Sequence, residues 1–244
     1  MKTKYEILDI GSGHNPYEKA DVLCERYLED VERTGHVKID TLPFVIGTLE
    51  FLPFKDKSFD LVTCSHVLEH ADNPLRALEE IKRVGKSAYV VTPSWIAENY
   101  MYRRRYHKSI VMSSFGKVYT IHNKYFNRER ARAGERQAPE KSSVIKTKFK
   151  RFLNMFGNEQ GEGVEKFAGD LNRFTRIFTT VISINGGAKR VFVEEKDGLW
   201  NKIKGFWFLI IGDFVQQIRD SILYLYLYYL KKQERTLRVW KIKW

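Results

Sequence analysis

The chain has 244 residues, 43% of them hydrophobic and 14% aromatic, and a formal net charge of +12 at pH 7. This length fits one domain, or one domain with an appendage, and the apolar content suffices for a sizeable core, which argues against a disordered protein. Residues 1–100 carry 12 basic and 17 acidic side chains, whereas residues 101–244 carry 30 and 13. The chain therefore has an acidic front and a basic back.

The front of the chain alternates strand patterns with helix patterns. Five short apolar strands are predicted at 5–10, 21–24, 44–47, 59–64 and 87–91. Their richness in Val, Ile, Leu and aromatic residues is typical of strands buried in a parallel sheet. Asn73, Pro74 and Gly85 mark the ends of an amphipathic helix between the last two strands. Strands that alternate with helices predict an α/β fold with a doubly wound, mostly parallel sheet.

Small, polar or acidic residues follow four of the predicted strands. They are Gly11, Ser12 and Gly13 after the first, Glu25 after the second, Thr48 and Leu49 after the third, and Ser65 and His66 after the fourth. Ligands of doubly wound sheets bind at the carboxyl ends of the strands, so these residues predict one site. Pro16 replaces the third glycine of the dinucleotide fingerprint, and the short link that follows leaves little room for a helix. Without a helix N-terminus to hold a pyrophosphate, a ligand lacking phosphates is favoured.

Two stretches, ILDIGSG at 7–13 and LEFLPFKDKSFDLVTCSHVLEH at 49–70, resemble the motifs of a known family. The family is the class I S-adenosylmethionine-dependent methyltransferases, in the branch that contains ubiquinone- and menaquinone-biosynthesis enzymes and other small-molecule methyltransferases. The resemblance covers about residues 5–94. It implies a Rossmann-like fold and S-adenosylmethionine as the cofactor.

The resemblance also implies which residues hold the cofactor. Gly11 and Gly13 would let the backbone approach its amino-acid part, and Glu25 would accept hydrogen bonds from both ribose hydroxyls. Thr48 stands where the family usually has an aspartate beside adenine, so a backbone carbonyl is the alternative partner there. The predicted cofactor-binding residues are Asp9, Gly11, Ser12, Gly13, Glu25, Thr48, Leu49, Ser65 and His66.

No catalytic residue is predicted, because transfer from a sulfonium depends mainly on holding the acceptor close and aligned. His66 and His70 are candidates for an acid or base, but histidines at helix starts are more often caps or packing residues. The box Asn/Asp-Pro-Pro-Tyr of nucleic-acid amine methylases is absent after the fourth strand, and so is the Pro-Cys pair of cytosine-C5 enzymes. Cys64 is predicted to be a buried strand residue.

The two cysteines, Cys24 and Cys64, lie in apolar runs without metal-ligand spacing. This pattern predicts a reduced intracellular protein without a metal site. The first strand pattern follows the N-terminus directly, so no signal peptide is expected. No apolar run reaches the roughly eighteen residues needed to span a bilayer. The expected location is cytoplasmic, with peripheral attachment at the inner membrane face as an option.

Three regions are predicted along the chain. Residues 1–95 form the cofactor-binding core, 96–198 recognise the substrate and complete the sheet with hairpins, and 199–244 are a basic, aromatic helical tail. The hairpins are predicted at 109–124 and at 176–195, the second turning at Asn185-Gly186-Gly187. The arginine-rich stretch 100–108 suits phosphate recognition or a solvated helix face. The charged stretch 126–143 is expected to be a loop or lid.

The tail contains two apolar, aromatic stretches, 206–214 and 222–230, which Lys and Arg residues flank. Such a segment could lie on an anionic membrane surface, pack onto its own domain or join a second subunit in a homodimer. The leading hypothesis is a methyltransferase for a small-molecule, lipid-linked or sugar-linked acceptor. The alternatives are an RNA methyltransferase that uses the basic half, an inactive cofactor-binding protein and, more remotely, a nicotinamide oxidoreductase.

Overall fold

The computed structural model describes residues 6–28, 42–100, 107–122, 179–191, 198–226 and 237–241. The strands are β1 (Ile7–Ile10), β2 (Val22–Glu25), β3 (Phe44–Ile46), β4 (Phe59–Ser65), β5 (Gly85–Pro93), β6 (Ser109–Ser114), β7 (Lys117–His122), β8 (Thr179–Ile184) and β9 (Leu237–Lys241). The helices are α1 (Pro74–Val84), α2 (Trp95–Tyr100), α3 (Gly187–Lys189) and α4 (Leu199–Leu225), with a 3-10 turn at Leu68–His70.

Six strands form the central sheet in the order β3-β2-β1-β4-β5-β8. The first five pair in parallel, and β8 pairs antiparallel with β5. This arrangement confirms the predicted α/β class with a mostly parallel sheet. The chain runs outward from β1 to β3 on one side and continues through β4 on the other. The strand order therefore reverses between β1 and β4, where such sheets open a crevice for ligands.

The sheet and α1 share the main core. Asn73 caps the helix by accepting a hydrogen bond from the Arg76 amide at 3.3 Å, and Pro74 occupies the first turn. Leu78 and Ile81 of α1 are fully buried in one cluster with Leu8 of β1. Leu78 and Ile81, three positions apart, lie on the same side of α1, and this side covers one face of the sheet, as the amphipathic pattern predicts.

The predicted strands lie where expected, but their ends differ slightly. Glu25 and Ser65 are the last residues of β2 and β4 instead of the residues that follow them. Residues 11–21 between β1 and β2 contain turns and no helix, in agreement with the shortness of that link.

The first predicted hairpin is present, because β6 and β7 pair antiparallel across a turn at Phe115 and Gly116. The second predicted hairpin, at 176–195, is wrong. Its first arm is β8, but residues 187–189 after the turn are helical, because α3 packs back against β5 instead of extending the sheet.

The tail differs from its prediction as a helical segment. Residues 199–225 form one helix, but 237–241 form β9, which adds to β7 as the third strand of a second sheet. Of the remaining stretches, 101–106, 126–143 and 227–230 lie outside the described residues. None of the helices in the described part of the chain is long and apolar enough to cross a membrane.

Arg83 of α1 fastens the loop that follows β3. Its guanidinium donates to the Phe54 carbonyl at 2.7 Å and the Leu52 carbonyl at 2.9 Å, and it pairs with Asp56 and Glu80 at 2.8 Å each. Glu80 in turn accepts from the Leu52 amide at 3.0 Å. The pKa of Glu80 is lowered, chiefly by the hydrogen bond from Arg83. One guanidinium therefore positions the segment that leads from Thr48 into β4.

Arg83→Lys is expected to reduce the free energy of unfolding by about 1.5–3 kcal/mol, because an ammonium cannot make this forked set of bonds. Urea denaturation measures the change. The control is Arg76→Lys, on the same helix, where the more exposed side chain pairs with Glu79 and Glu80 and a loss below about 0.5 kcal/mol is expected. Equal losses in both variants would contradict the assignment.

Candidate functional site

A glycine turn follows β1 at the crevice. Gly11 and Gly13 have φ angles of +70° and +58°, which residues with a side chain adopt at a cost. The Gly11 amide donates to the Cys24 carbonyl at 2.8 Å, and a Cβ on Gly11 would lie 2.1 Å from Cγ2 of Val67. At Gly13 an added Cβ would meet no atom within 4 Å. The turn is therefore packed tightly on one side and open at Gly13.

Glu25 faces this turn from the end of β2. Only 2% of the residue is exposed. Its Oε1 accepts a hydrogen bond from the Gly13 amide and lies 3.3 Å from the Ser12 hydroxyl, which donates to it. A buried carboxylate is thus aimed at the glycine turn and joined to two residues of it.

Asp9, inside β1, holds the far end of the same turn. Its two carboxylate oxygens accept from the Thr63 hydroxyl at 2.7 Å and from the Tyr17 amide at 2.8 Å. Burial raises the pKa of Asp9 to about 6, against the lowering effect of these hydrogen bonds. Asp9 therefore connects β1, β4 and the end of the turn.

The residues after β3 and β4 lie at the same edge of the sheet as the glycine turn. The Thr48 carbonyl accepts a hydrogen bond from the Phe51 amide at 3.0 Å in a turn, and Leu49 is buried. Ser65 is exposed at the end of β4. His66 has a φ of +57°, and its amide donates to the Val91 carbonyl of β5 at 2.8 Å.

The structure brings the nine predicted cofactor residues to the carboxyl ends of β1 to β4. Gly47, which precedes Thr48, donates its amide hydrogen to the Glu25 carbonyl at 2.9 Å, and Val67 touches Gly11. The ends of β3, β2, β1 and β4 are therefore linked by direct contacts. Whether these residues bind a cofactor stays a prediction.

A group of ligand-type side chains that the sequence patterns do not predict lies beside His66. Glu69, His70 and His107 each offer a ligand atom, and these atoms lie within 4.8 Å of one another. The side chain of Glu69 is 1% exposed, and the His66 Nδ1 lies 3.6 Å from its Oε1. Burial acts to raise the pKa of Glu69, but the imidazoles of His66, His107 and His70 outweigh it and leave that pKa below its usual range. The spacing HVLEH was visible in the sequence, whereas nothing local pointed to His107.

The two cysteines are both free and buried. Burial raises the pKa of the Cys24 thiol to about 12, with a further contribution from Glu25. Burial also raises the pKa of the Cys64 thiol well above its ordinary value. Neither environment favours the thiolate form, and the burial of Cys64 in β4 agrees with its prediction as a buried strand residue.

Comparison with known proteins gives a consistent set of relatives. Residues 20–89 match the family model described as "Methyltransferase domain". The chain is 30% identical over 96 residues to the uncharacterized methyltransferase YcgJ of Bacillus subtilis, across 35% of this chain and 38% of that protein. It is 34% identical over 86 residues to the demethylmenaquinone methyltransferase of Renibacterium salmoninarum, across 33% and 36% of the two chains.

A solved SAM-dependent methyltransferase of Thermotoga maritima, described as a possible histamine N-methyltransferase, aligns at 27% identity and a TM-score of 0.32. That alignment covers 41% of this chain and 51% of the other. The alignments with the two curated relatives span little more than a third of their lengths, 38% and 36%. The sequence matches confirm the predicted resemblance to methyltransferases for residues 20–89.

Proposed function

We propose that this chain, whose residues 20–89 match a methyltransferase domain, transfers a methyl group from S-adenosylmethionine to a lipid-linked or other small-molecule acceptor. The observation that carries the proposal is the buried Glu25 carboxylate aimed at a glycine turn where the strand order of the sheet reverses. An acidic side chain at this place suits a ligand that presents two neighbouring hydroxyls and no phosphate.

The residues at the crevice fit an adenosyl cofactor. The open space at Gly13 admits the amino-acid part beside the backbone, and Glu25 lies within reach of a ribose bound next to the turn. Thr48 has no carboxylate for the adenine edge and the Leu49 side chain is buried, so a contact with adenine would fall to backbone groups of this loop. When bound, the cofactor supplies a methyl group on a sulfonium, which a nucleophile displaces in line.

The protein's task is then to align the acceptor and to exclude water. The backbone amide of His66 donates a hydrogen bond to β5, and the residue would lie next to the transferred methyl group. Its imidazole could take the proton that a hydroxyl acceptor must lose. This role for His66 therefore applies to an acceptor that is methylated on a hydroxyl oxygen.

Two curated relatives are demethylmenaquinone methyltransferases, which supports an acceptor of the lipid-linked kind.

A further observation on α4 agrees with an acceptor that resides in a membrane. The outer face of this helix consists of exposed apolar side chains at Ile210, Phe214, Ile218, Ile222 and Leu225. These residues lie within one half of a helical wheel, opposite the buried Gln216, Asp220 and Leu223.

Hydrogen bonds from the buried face of α4 hold this helix against the rest of the domain. The Gln216 side chain accepts from the Val181 amide at 2.9 Å and donates to the Val181 carbonyl at 2.9 Å. Asp220 accepts from the Ser113 amide at 2.8 Å and pairs with Arg219 at 2.7 Å. The apolar side chains are thus left on the outside of a helix that is already fixed in place.

An anionic membrane surface is the occupant that we propose for the outer face. Residues 101–244 carry 30 basic against 13 acidic side chains, an excess that attracts anionic headgroups. A helix that buries aromatic and aliphatic side chains at the headgroup boundary needs no span of the bilayer. Peripheral attachment would bring the crevice close to a lipid-linked acceptor.

Phe214→Glu is expected to reduce binding to vesicles of 30% phosphatidylglycerol at least tenfold, because burying this side chain contributes about 1.5–3 kcal/mol. Sedimentation with the vesicles measures the partition. Ile46→Glu, which places the same charge on an exposed side chain of β3, is the control and should bind like the wild type. Unchanged binding of Phe214→Glu, or a shift from dimer to monomer in light scattering, would assign the face to something other than lipid.

Titration calorimetry with S-adenosylmethionine and S-adenosylhomocysteine tests the central proposal, and one site per chain is expected. Extracts incubated with isotope-labelled cofactor should then show label in the lipid fraction. Label in RNA would favour an RNA methyltransferase instead. The absence of heat and of any shift in melting temperature would leave a scaffold without the enzyme activity.

A further inference from the structure

We infer that Glu69, His70 and His107 form a binding site for a divalent transition-metal ion of the Zn²⁺ class. Glu69 and His70 belong to the 3-10 turn after β4, and His107 precedes β6. The three ligand atoms lie within 4.8 Å of one another. One carboxylate and two imidazoles are a donor set that Zn²⁺ and its neighbours bind with a position left open.

The state of Glu69 is the strongest argument for a cation. Its side chain is 1% exposed, and among the described residues neither carboxylate oxygen has a hydrogen-bond partner. His66 approaches Oε1 at 3.6 Å, too far for a hydrogen bond. Buried charges are otherwise paired and hydrogen-bonded, or they coordinate metals. A metal ion among the three donors would satisfy this carboxylate.

The imidazole geometry is compatible with a shared ion. The rings of His70 and His107 meet edge to face, with centroids 4.7 Å apart and an angle of 88° between their planes. Donors around a tetrahedral ion lie roughly 3.4 Å apart for bonds of about 2.1 Å. The present limit of 4.8 Å therefore requires the ligand atoms to approach one another by at most about 1.4 Å when the ion binds.

The backbone holds the two ligand-bearing segments together without help from an ion. The Lys108 amide, next to His107, donates to the Glu69 carbonyl at 2.9 Å. The Lys108 ammonium pairs with Asp72 at 2.6 Å. Within the turn, the His70 amide donates to the Val67 carbonyl at 3.0 Å. A site assembled in advance loses little entropy when the ion binds.

The site adjoins His66 at the carboxyl edge of the sheet. An oxygen or nitrogen of the methyl acceptor could therefore occupy the open position on the metal, where the ion would lower the pKa of a hydroxyl. This role rests on the proposed function, whereas binding of the ion does not. Measurements of metal binding and of S-adenosylhomocysteine binding separate the two.

Untagged wild-type protein, stripped with a chelator and titrated with Co²⁺, tests the site directly. Visible absorption bands typical of four- or five-coordinate Co²⁺ with nitrogen ligands, saturating at one ion per chain, are expected. Zn²⁺ should displace Co²⁺ and raise the melting temperature. These two readouts need no variant, so a folding defect cannot obscure them. The absence of both bands and stabilisation would overturn the site and leave Glu69 paired with imidazolium side chains.

Glu69→Gln and His107→Gln should each weaken Zn²⁺ binding at least thirtyfold in calorimetry. The matched controls are Glu79→Gln, an exposed carboxylate of α1, and His14→Gln, an exposed imidazole, and both should bind as the wild type does. Equal affinity in all four variants would place the metal elsewhere and overturn the assignment. Loss of metal with S-adenosylhomocysteine binding intact would confirm the site independently of the cofactor crevice.

Discussion

Replacing Glu25 with alanine is expected to weaken binding of S-adenosylhomocysteine at least thirtyfold. The carboxylate is buried at the end of β2 and faces the glycine turn, where it would meet the ribose hydroxyls. A hydrogen bond to a charged acceptor contributes about 1.5–3 kcal/mol, so losing one weakens binding roughly 13- to 160-fold, and losing the bonds to both hydroxyls exceeds thirtyfold. Titration calorimetry at pH 7.5 measures the change.

A second substitution separates ribose binding from support of the turn. Glu25→Gln keeps an oxygen that accepts from the Gly13 amide, so the turn should keep its shape while the charge is lost. Its affinity should lie between those of the wild type and Glu25→Ala. Glu79→Ala, on the exposed side of α1, is the control and should leave both affinity and melting temperature unchanged. Wild-type affinity in Glu25→Ala would remove this residue from the cofactor site.

Gly187→Ala is expected to reduce the free energy of unfolding by about 3 kcal/mol or more. A Cβ at this position would lie 2.0 Å from the carbonyl oxygen of Ala88 and 2.3 Å from its carbon. Both atoms belong to the backbone of β5, so no side-chain rotation relieves the clash. Either α3 or the edge of the sheet must move, and the pairing between β5 and β8 should weaken with it.

Gly186→Ala, at the neighbouring position, is the matched control, because its loss of stability would have a different cause. Gly186 has a φ of +76° and no atom within 4 Å of an added Cβ, so alanine there meets only backbone strain. Strain of this kind costs about 1–2 kcal/mol. Thermal and urea denaturation should therefore give a clearly lower free energy of unfolding for Gly187→Ala than for Gly186→Ala. If the two unfold alike, α3 is free to shift away from β5 at little cost.

The central sheet was predictable because its information is local. Short apolar runs, the capped helix at 73–85 and the residues at the strand ends each carry their own pattern, and the structure agrees with them. The hairpin at 176–195 was mispredicted because Asn185-Gly186-Gly187 suits a turn into a strand as well as a turn into α3. Packing of Gly187 on β5 decides between the two, and local sequence does not encode it.

The candidate metal site also depends on contacts that local sequence does not encode. The cysteine pattern predicted no metal site, and His66 and His70 were weighed only as an acid or a base. The ligand that completes the group, His107, lies 37 positions after His70 and reaches it through the Lys108–Glu69 backbone bond. Likewise, β9 joins β7 from more than a hundred residues away. Pairings of this range depend on the whole fold.

The antiparallel pairing of β8 with β5 has a consequence for synthesis on the ribosome. Residues 94–178 separate the two strands, so β5 leaves the ribosome long before its outer neighbour exists. At about 5–20 residues per second, the interval is roughly 4 to 17 s. During this time the amide and carbonyl row of β5 is open to foreign strands. Slower translation between these strands is therefore expected to increase inclusion-body formation.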